Sequence, residues 1–258
     1  MKKCLKKRLF IALIFSIITI NLLAQTFVEQ TGISLPGVSN GSVVCGDYDN
    51  DGDLDVLLVS RSISKIYQNQ GNFVFLEQQS TSFDGRYNGK CLWSDYDNDG
   101  DLDILMTGSI EYFGAPTTII YQNQGNNNFS PQDDIYLNGI REGTVDWGDY
   151  NDDGFLDILL IGSSTYIYKN NGDNTFSQQN NSNLKSVAKG FGIWGDLNND
   201  GNLDIIIAGD NFGSYITEVY YNNGDNTFSE ATGLGLKGVY LINFLMDKYF
   251  ANRKIVVE

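Results

Sequence analysis

Four short runs of branched and aliphatic residues recur along the chain: Val56-Leu57-Leu58-Val59, Ile104-Leu105-Met106, Ile158-Leu159-Leu160-Ile161 and Ile205-Ile206-Ile207-Ala208. A continuous apolar run this short, bounded by glycine and polar residues, reads as a strand buried on both faces. A shorter apolar segment leads into each run, as in Ser42-Val43-Val44-Cys45 and Phe191-Gly192-Ile193-Trp194. A third segment follows, ending in Tyr67-Gln68-Asn69, Tyr121-Gln122-Asn123, Tyr168-Lys169-Asn170 and Tyr221-Asn222-Asn223. Turns at Gly71, Gly125, Gly172 and Gly224 then lead to a phenylalanine strand at Phe73, Phe129, Phe176 and Phe228. Glycine beside asparagine or aspartate between such runs is hairpin chemistry. Each unit is therefore expected to hold four antiparallel strands.

The first and second strands of every unit are joined by a nine-residue polar loop. The loops run from Asp47 to Asp55, Asp95 to Asp103, Asp149 to Asp157 and Asp196 to Asp204, with first residues 48, 54 and 47 apart. A fixed period near fifty marks a propeller, solenoid or array, and four strands per period is the grammar of a propeller blade. The expected fold is all-β, a propeller-like array of four four-stranded blades. Thr26–Gly32 resembles Thr227–Gly233. It reads as an outer strand that either completes the last blade and closes a ring or is left over from a longer array. Four blades is the low end for closure, so an incomplete or open arrangement stays in play.

The loops carry the chemistry. In the first, Asp47, Asp49, Asp51 and Asp55 stand at positions 1, 3, 5 and 9, and Asp53 at position 7 is expected to offer its backbone carbonyl. The second repeats this with Asp95, Asp97, Asp99, Asp101 and Asp103. The third has Asp149, Asn151, Asp153, Phe155 and Asp157, and the fourth Asp196, Asn198, Asp200, Asn202 and Asp204. Oxygen ligands at alternate positions around a glycine suit a hard cation of calcium size, and Phe155 at position 7 requires a backbone ligand there. An EF-hand is excluded. Its twelfth position needs a bidentate glutamate and here holds Leu58, Met106, Leu160 and Ile207. Simple solvated turns are a poor alternative, because like charges packed this closely repel one another without a cation.

This unit, a strand followed by Asp-x-Asp/Asn-x-Asp-Gly-x-Leu-Asp and an Ile/Leu/Val strand, resembles the FG-GAP/VCBS repeat family over residues 26 to 232. The resemblance implies a calcium-binding β-propeller, up to four Ca2+ ions held by the loop residues, and a role in adhesion or ligand binding at the cell surface. Phe191-Gly192 with Ala208-Gly209 comes nearest the family's name motif. The chain departs from the family in blade number, four against the usual six to eight. The tail, from Lys237-Gly238-Val239-Tyr240 to Lys254-Ile255-Val256-Val257, resembles the end of a type IX secretion sorting domain. The alternative reading is a fifth repeat that stops early.

Composition narrows function. The chain has no histidine, which removes Ser-His-Asp and Cys-His nucleophiles and His-containing zinc sites. Lys2, Lys3, Lys6, Lys7 and Arg8 precede an apolar stretch from Leu9 to Leu23, which reads as a signal peptide over residues 1–24, with an uncleaved anchor as the alternative. After cleavage no membrane insertion is expected. Loss of those five positive charges takes the net charge from −15 to −20, which disfavours a nucleic-acid partner. The product would be secreted, extracellular or on the cell surface, with repeats at 25–232 and the tail at 233–258. Cys45 stands where the other units place Trp93, Trp147 and Trp194, and is expected to be buried there. A Cys45–Cys91 disulfide between neighbouring units is open in an oxidising compartment.

Extracellular calcium modules bind with Kd of about 10⁻⁴ to 10⁻³ M. At about 1 mM calcium, linkage supplies about 0.4 to 1.4 kcal/mol per site, about 2 to 6 for four. Calcium is thus expected to be structural, not catalytic. The loops between second and third strands lie opposite the acidic loops. They are long in units 2 and 4, where Tyr112, Phe113, Phe212 and Tyr215 are candidates for contact with a surface glycan or protein ligand. A non-catalytic binding or adhesion module is the leading expectation. A carboxylate enzyme acting on carbohydrate and a non-functional fragment of a longer array are the alternatives, and Asp84, Glu111, Asp146 and Asp210 share no motif to support the enzyme.

Overall fold

The computed structural model describes residues 29–80, 82–180 and 183–232, and the backbone of 239–246 and 249–256. The leader and the first three residues of the expected outer strand at Thr26–Gly32 lie outside these residues, and the remaining four, Glu29 to Gly32, form irregular chain and a turn rather than a strand. Four sheets follow one another, each built in chain order. The first holds β1 (Ser42–Gly46), β2 (Asp55–Val59), β3 (Ser64–Asn69) and β4 (Phe75–Glu77). The second holds β5 (Tyr87–Ser94), β6 (Asp103–Ser109), β7 (Pro116–Asn123) and β8 (Phe129–Pro131), with a short fifth strand, β9 (Leu137–Asn138), pairing back onto β7. The third holds β10 (Thr144–Gly148), β11 (Asp157–Ile161), β12 (Thr165–Asn170) and β13 (Phe176–Gln178). The fourth holds β14 (Ala188–Gly195), β15 (Asp204–Asn211), β16 (Ser214–Asn222) and β17 (Phe228–Glu230). Every pairing is antiparallel. The fold is the expected all-β, propeller-like array of four blades.

The second strands β2, β6 and β11 are buried along their whole length, as their unbroken apolar runs required. Blades meet through a repeated aromatic triad. Trp93 stacks on Tyr48 at 5.8 Å and 7° and meets Phe129, while Tyr48 also meets Phe129 at 5.9 Å. Trp194 stacks on Tyr150 at 5.4 Å and 2°, with Phe228 against both. Tyr96 and Trp147 share Phe176 in the same way. Each aromatic pair contributes about 0.5–1.5 kcal/mol beyond its buried area. The tyrosine always comes from the acidic loop of one blade, the tryptophan and phenylalanine from the next. Close approach demands a small residue below the indole: a Cβ on Gly46 or Gly148 would stand 2.7 Å from the Trp93 or Trp194 ring.

Three local expectations need correcting. The phenylalanine of the first unit's fourth strand is Phe75, which pairs with Asn69 as Phe129 pairs with Asn123, and Phe73 sits exposed in the hairpin at φ 62°. The third strand of unit 4 ends at Asn222, not Asn223, since Asn222 pairs with Phe228. Cys45 is exposed, because among the described residues no blade precedes β1 to place a tyrosine against it, and Cys45 and Cys91 are both free thiols, with Cys91 buried between the first two blades. The tail forms a two-stranded sheet of β18 (Val239–Met246) and β19 (Tyr249–Val256). Among the described residues no helix is long and apolar enough to cross a membrane.

Candidate metal centre

Each acidic loop folds around its first residue. Asp47 accepts from the N–H groups of Asp51 and Gly52, both at 3.0 Å, and Asp95 does the same for Asp99 and Gly100 at 3.0 Å. Asp149 receives Asp153 and Gly154 at 3.0 and 2.8 Å, and Asp196 receives Asp200 and Gly201 at 3.1 Å each. The chain turns this sharply because positions 4 and 6 are left-handed. Asn50, Asn98, Asp152 and Asn199 have φ of 59°, 59°, 57° and 60°, followed by glycines at 93°, 95°, 88° and 91°. Short polar side chains and glycine tolerate that region best.

The ninth residue closes the loop from inside. Asp55, Asp103, Asp157 and Asp204 are fully buried at the start of each second strand. One carboxylate oxygen accepts from the N–H at position 2 (Tyr48, Tyr96, Tyr150 and Leu197), the other from the asparagine ending the third strand (Asn69, Asn123, Asn170 and Asn222) at 2.7–2.9 Å. Burial outweighs these bonds and pushes the Asp55, Asp103 and Asp157 carboxyls up to about 6, 8 and 7, and raises Asp204 too.

The third residue supplies the clearest sign of a ligand. Asp49 Oδ1, Asp97 Oδ1 and Asn151 Oδ1 are buried with no hydrogen-bond partner, at the same position in three successive loops. Most buried polar atoms in folded proteins are partnered. Here the Tyr48, Tyr96 and Tyr150 hydroxyls and the Trp93, Trp147 and Trp194 indole nitrogens also lack a partner, but among these sets only the third-position atoms are acceptors alone. Oxygens of Asp47, Asp49 and Asp55 lie within 4.8 Å of one another, as do those of Asp95, Asp97 and Asp99. Two full charges at that separation repel by about 3.5 kcal/mol at an effective dielectric near 20. Burial first, then the neighbouring carboxylates, raise Asp49 and Asp97. The donors are all oxygen, which suits a hard divalent cation. The position 7 side chains of Asp53, Asp101, Phe155 and Asn202 extend toward the hairpin glycines Gly71, Gly125, Gly172 and Gly224.

The middle residue of the third-strand ending sets the loops apart. Gln68 and Gln122 donate to the third-position carboxylates Asp49 and Asp97. Lys169, in the same place in blade 3, pairs with Asp153 Oδ2 at 3.0 Å and brings a positive charge into the loop. Blade 4 has Tyr221 there. In that loop Asn198 Oδ1 accepts from Asp200 N–H at 2.9 Å, and both Asn198 and Asn202 amides donate to the Asp200 carboxylate.

Neighbouring loops are wired together. The Asn123, Asn170 and Asn222 side chains each reach back to the preceding blade's Tyr48, Tyr96 and Tyr150 carbonyls, at 3.1, 2.8 and 2.8 Å. Outside, Asn50 Nδ2 donates to Gly100 O at 3.3 Å and Asp101 Oδ1 at 2.9 Å, and Asn98 Nδ2 to Gly154 O at 3.0 Å. These asparagines carried no chemistry in the sequence. Their recurrence at one phase of the repeat was the signal that could have found them.

At the opposite ends of the blades, Tyr112, Phe113, Phe212 and Tyr215 are 65, 87, 93 and 89% exposed. Tyr112 and Phe113 lie in the loop joining β6 and β7. The corresponding segment of blade 4 is no long loop: β15 and β16 extend to a two-residue turn at Phe212-Gly213, with φ of 50° and 95°. Of the scattered carboxylates, Asp146 Oδ2 accepts from Trp194 N–H at 2.9 Å and Asp210 Oδ1 from Gly213 N–H at 2.6 Å, both structural roles.

Comparison of the fold with solved structures finds an Agrocybe aegerita lectin, described as recognising non-reducing terminal N-acetylglucosamine. The match has a TM-score of 0.51 at 22% identity and covers 72% of this chain and 50% of the lectin, so the chain spans half that protein's length. Curated protein sequences give no match. The FG-GAP-like repeat family matches residues 47–106, 95–160 and 149–207, each match running from one acidic loop through the second strand of the next blade. With more than half its length so matched, and with the loop and strand order on which those matches fall, the chain belongs to the FG-GAP-like repeat family.

Proposed function

We propose that this protein is a non-catalytic binding module, exported to the cell surface or beyond, whose blades are stiffened by calcium at the acidic loops. The reading rests on one observation above the rest: the buried, unpartnered oxygens of Asp49, Asp97 and Asn151, repeated at one position of three loops. Calcium would be held by the side chains at positions 1, 3, 5 and 9 and the carbonyl at position 7, and would balance the negative charge that burial and crowding disfavour in these loops. A cation there restrains each first-to-second strand connection. The asparagine wires pass that restraint to the adjoining blade, so the opposite loops are presented on a rigid frame. Rigid scaffolds carrying variable loops are the common architecture of binding proteins. A glycan is the favoured ligand class, supported by the exposed aromatics and by the lectin of like fold. The basic and apolar first 24 residues support export.

Thermal unfolding tests this directly, with chelator, then with calcium or magnesium at millimolar concentration. A rise of several degrees with calcium that magnesium does not match is expected. A flat response to both ions would end the calcium reading.

A further inference from the structure

Three arginines of the four sheets, Arg61, Arg86 and Arg141, gather at one end of blade 2, in a chain whose net charge is −15. The Arg61 guanidinium, from the turn between β2 and β3, lies 4.8 Å over the Tyr87 ring. Tyr87 meets the edge of Tyr112 at 5.4 Å, and Tyr112 meets Phe113 at 4.5 Å. Arg141, entering from blade 3, donates through Nη2 to the Gly114 carbonyl, and Gly114 N–H bonds back to Glu111 O at 3.0 Å. The tip is therefore braced from both neighbouring blades. Arg86 lies beneath it, only 3% exposed, with Nη1 donating to Thr117 Oγ1 at 2.6 Å. The residues at its place before β10 and β14 are the buried, apolar Ile140 and Val187. A charge has thus replaced an aliphatic side chain at this one junction.

From this cluster we infer that the tip of blade 2 is a binding site for acidic sugars, with the rings of a carboxylate-bearing glycan stacking on Tyr112 and Phe113 and a carboxylate pairing with Arg61. Stacked rings give contact area at low entropic cost, and an arginine whose face is held by an aromatic keeps its N–H edge free for a bidentate carboxylate. Arg61 is exposed and takes part in none of the ion pairs among the described residues. The carboxylates nearby are the exposed Asp84, whose neighbour Gly85 packs against the Arg61 carbonyl, Glu111 in the turn itself and Glu142, which accepts from Asn88 Nδ2 at 3.4 Å. The acidic loops lie at the far ends of the strands, so the module is polarised: cation-binding chemistry at one end, cationic and aromatic chemistry at the other. Phe212 and Tyr215 in blade 4 are as exposed, but Asp210, not arginine, shares their turn.

This inference deepens the binding-module reading and rests on it. The test is calorimetric titration of the full-length protein, in calcium, with hexasaccharides of alginate, polygalacturonate and hyaluronate, each beside its carboxyl-reduced counterpart. At least one acidic oligosaccharide should bind ten-fold or more tighter than its reduced form. That affinity should fall ten-fold or more in Arg61→Gln and in Phe113→Ala, recover in part in Arg61→Lys, weaken with salt, and stay unchanged in Phe212→Ala. Melting temperatures of the variants in calcium keep misfolding separate from lost contact. No preference for any acidic form would overturn the inference, as would full binding by Arg61→Gln. Equal affinity for poly-glutamate would do the same, by showing acid recognition without a sugar. Failure of the calcium melting shift, by contrast, would strike at the module reading alone.

Discussion

The acidic loops of blades 1 and 2 and those of blades 3 and 4 share a backbone yet differ in chemistry. In the first pair, positions 1, 3, 5 and 9 are all aspartate, a neutral glutamine steadies the third, and three carboxylates converge within 4.8 Å. In the second pair the third position is asparagine. Loop 3 already holds the Lys169 ammonium against Asp153, and loop 4 spends Asn198 Oδ1 on its own backbone. Loop 4 thus satisfies its third-position oxygen internally, whereas loop 3 leaves Asn151 Oδ1 unpartnered but already carries a positive charge. On the proposed calcium reading each has less to gain from an ion than loops 1 and 2. The difference teaches that residues outside the motif, Gln68, Gln122 and Lys169, set the chemistry of loops that share one backbone.

The largest effect should come from removing the stronger pair. If loops 1 and 2 bind near the tight end of about 10⁻⁴ M and loops 3 and 4 near about 10⁻³ M, then at about 1 mM calcium the first pair contributes about 2.8 kcal/mol and the second about 0.8. Asp49→Ala with Asp97→Ala should therefore erase most of the calcium-dependent melting shift, about 6–11 °C for a domain of this size. Asn151→Ala with Asn198→Ala should leave most of it in place. Equal losses in a melting experiment would break the comparison.

Next in size is the wiring. Asn170→Ala removes a buried amide that serves the Tyr96 and Leu156 carbonyls and should cost about 1–3 kcal/mol in denaturant unfolding. Asn69→Ala, whose amide reaches only its own loop at Leu54 O, should cost less. A pH series then sharpens the site assignment. The buried ninth-position carboxyls have folded values raised above the ordinary aspartate value of about 3.9. In chelator the folded state accordingly holds more protons than the unfolded one, and stability should fall as pH rises from about 4 through about 6 to 8. With calcium present the fall should flatten or reverse, since the ion binds the deprotonated form. Stability rising with pH in chelator would contradict the burial seen here.

The smallest effect belongs to Lys169→Gln. Removing a half-exposed ammonium changes the balance by no more than about 1 kcal/mol, so calcium affinity at loop 3 should rise by about two- to five-fold in a titration. No rise would mean that Lys169 does not hold the site closed.

Much of this architecture was legible in the chain. The fifty-residue period, the strand order and the oxygen-donor loops follow from local pattern, because alternate ligand spacing and buried apolar runs are properties of contiguous residues. Even the asymmetry of the loops was half visible, in Asn151 and Asn198. Phe73 and Tyr221 misled because hairpin register is set by pairing across the turn, where a slip of one or two residues leaves composition unchanged.

The sequence by itself determined the repeat, its all-β character and the place of the acidic loops between first and second strands. Only the tertiary structure decided that Cys45 faces outward, that Lys169 reaches into loop 3, that Asn123, Asn170 and Asn222 couple one loop to the last, and that Arg61, Tyr87 and Phe113 meet at one tip. Those contacts join residues of different strands or blades. They depend on how strands pair and blades stack, which no run of neighbouring residues encodes.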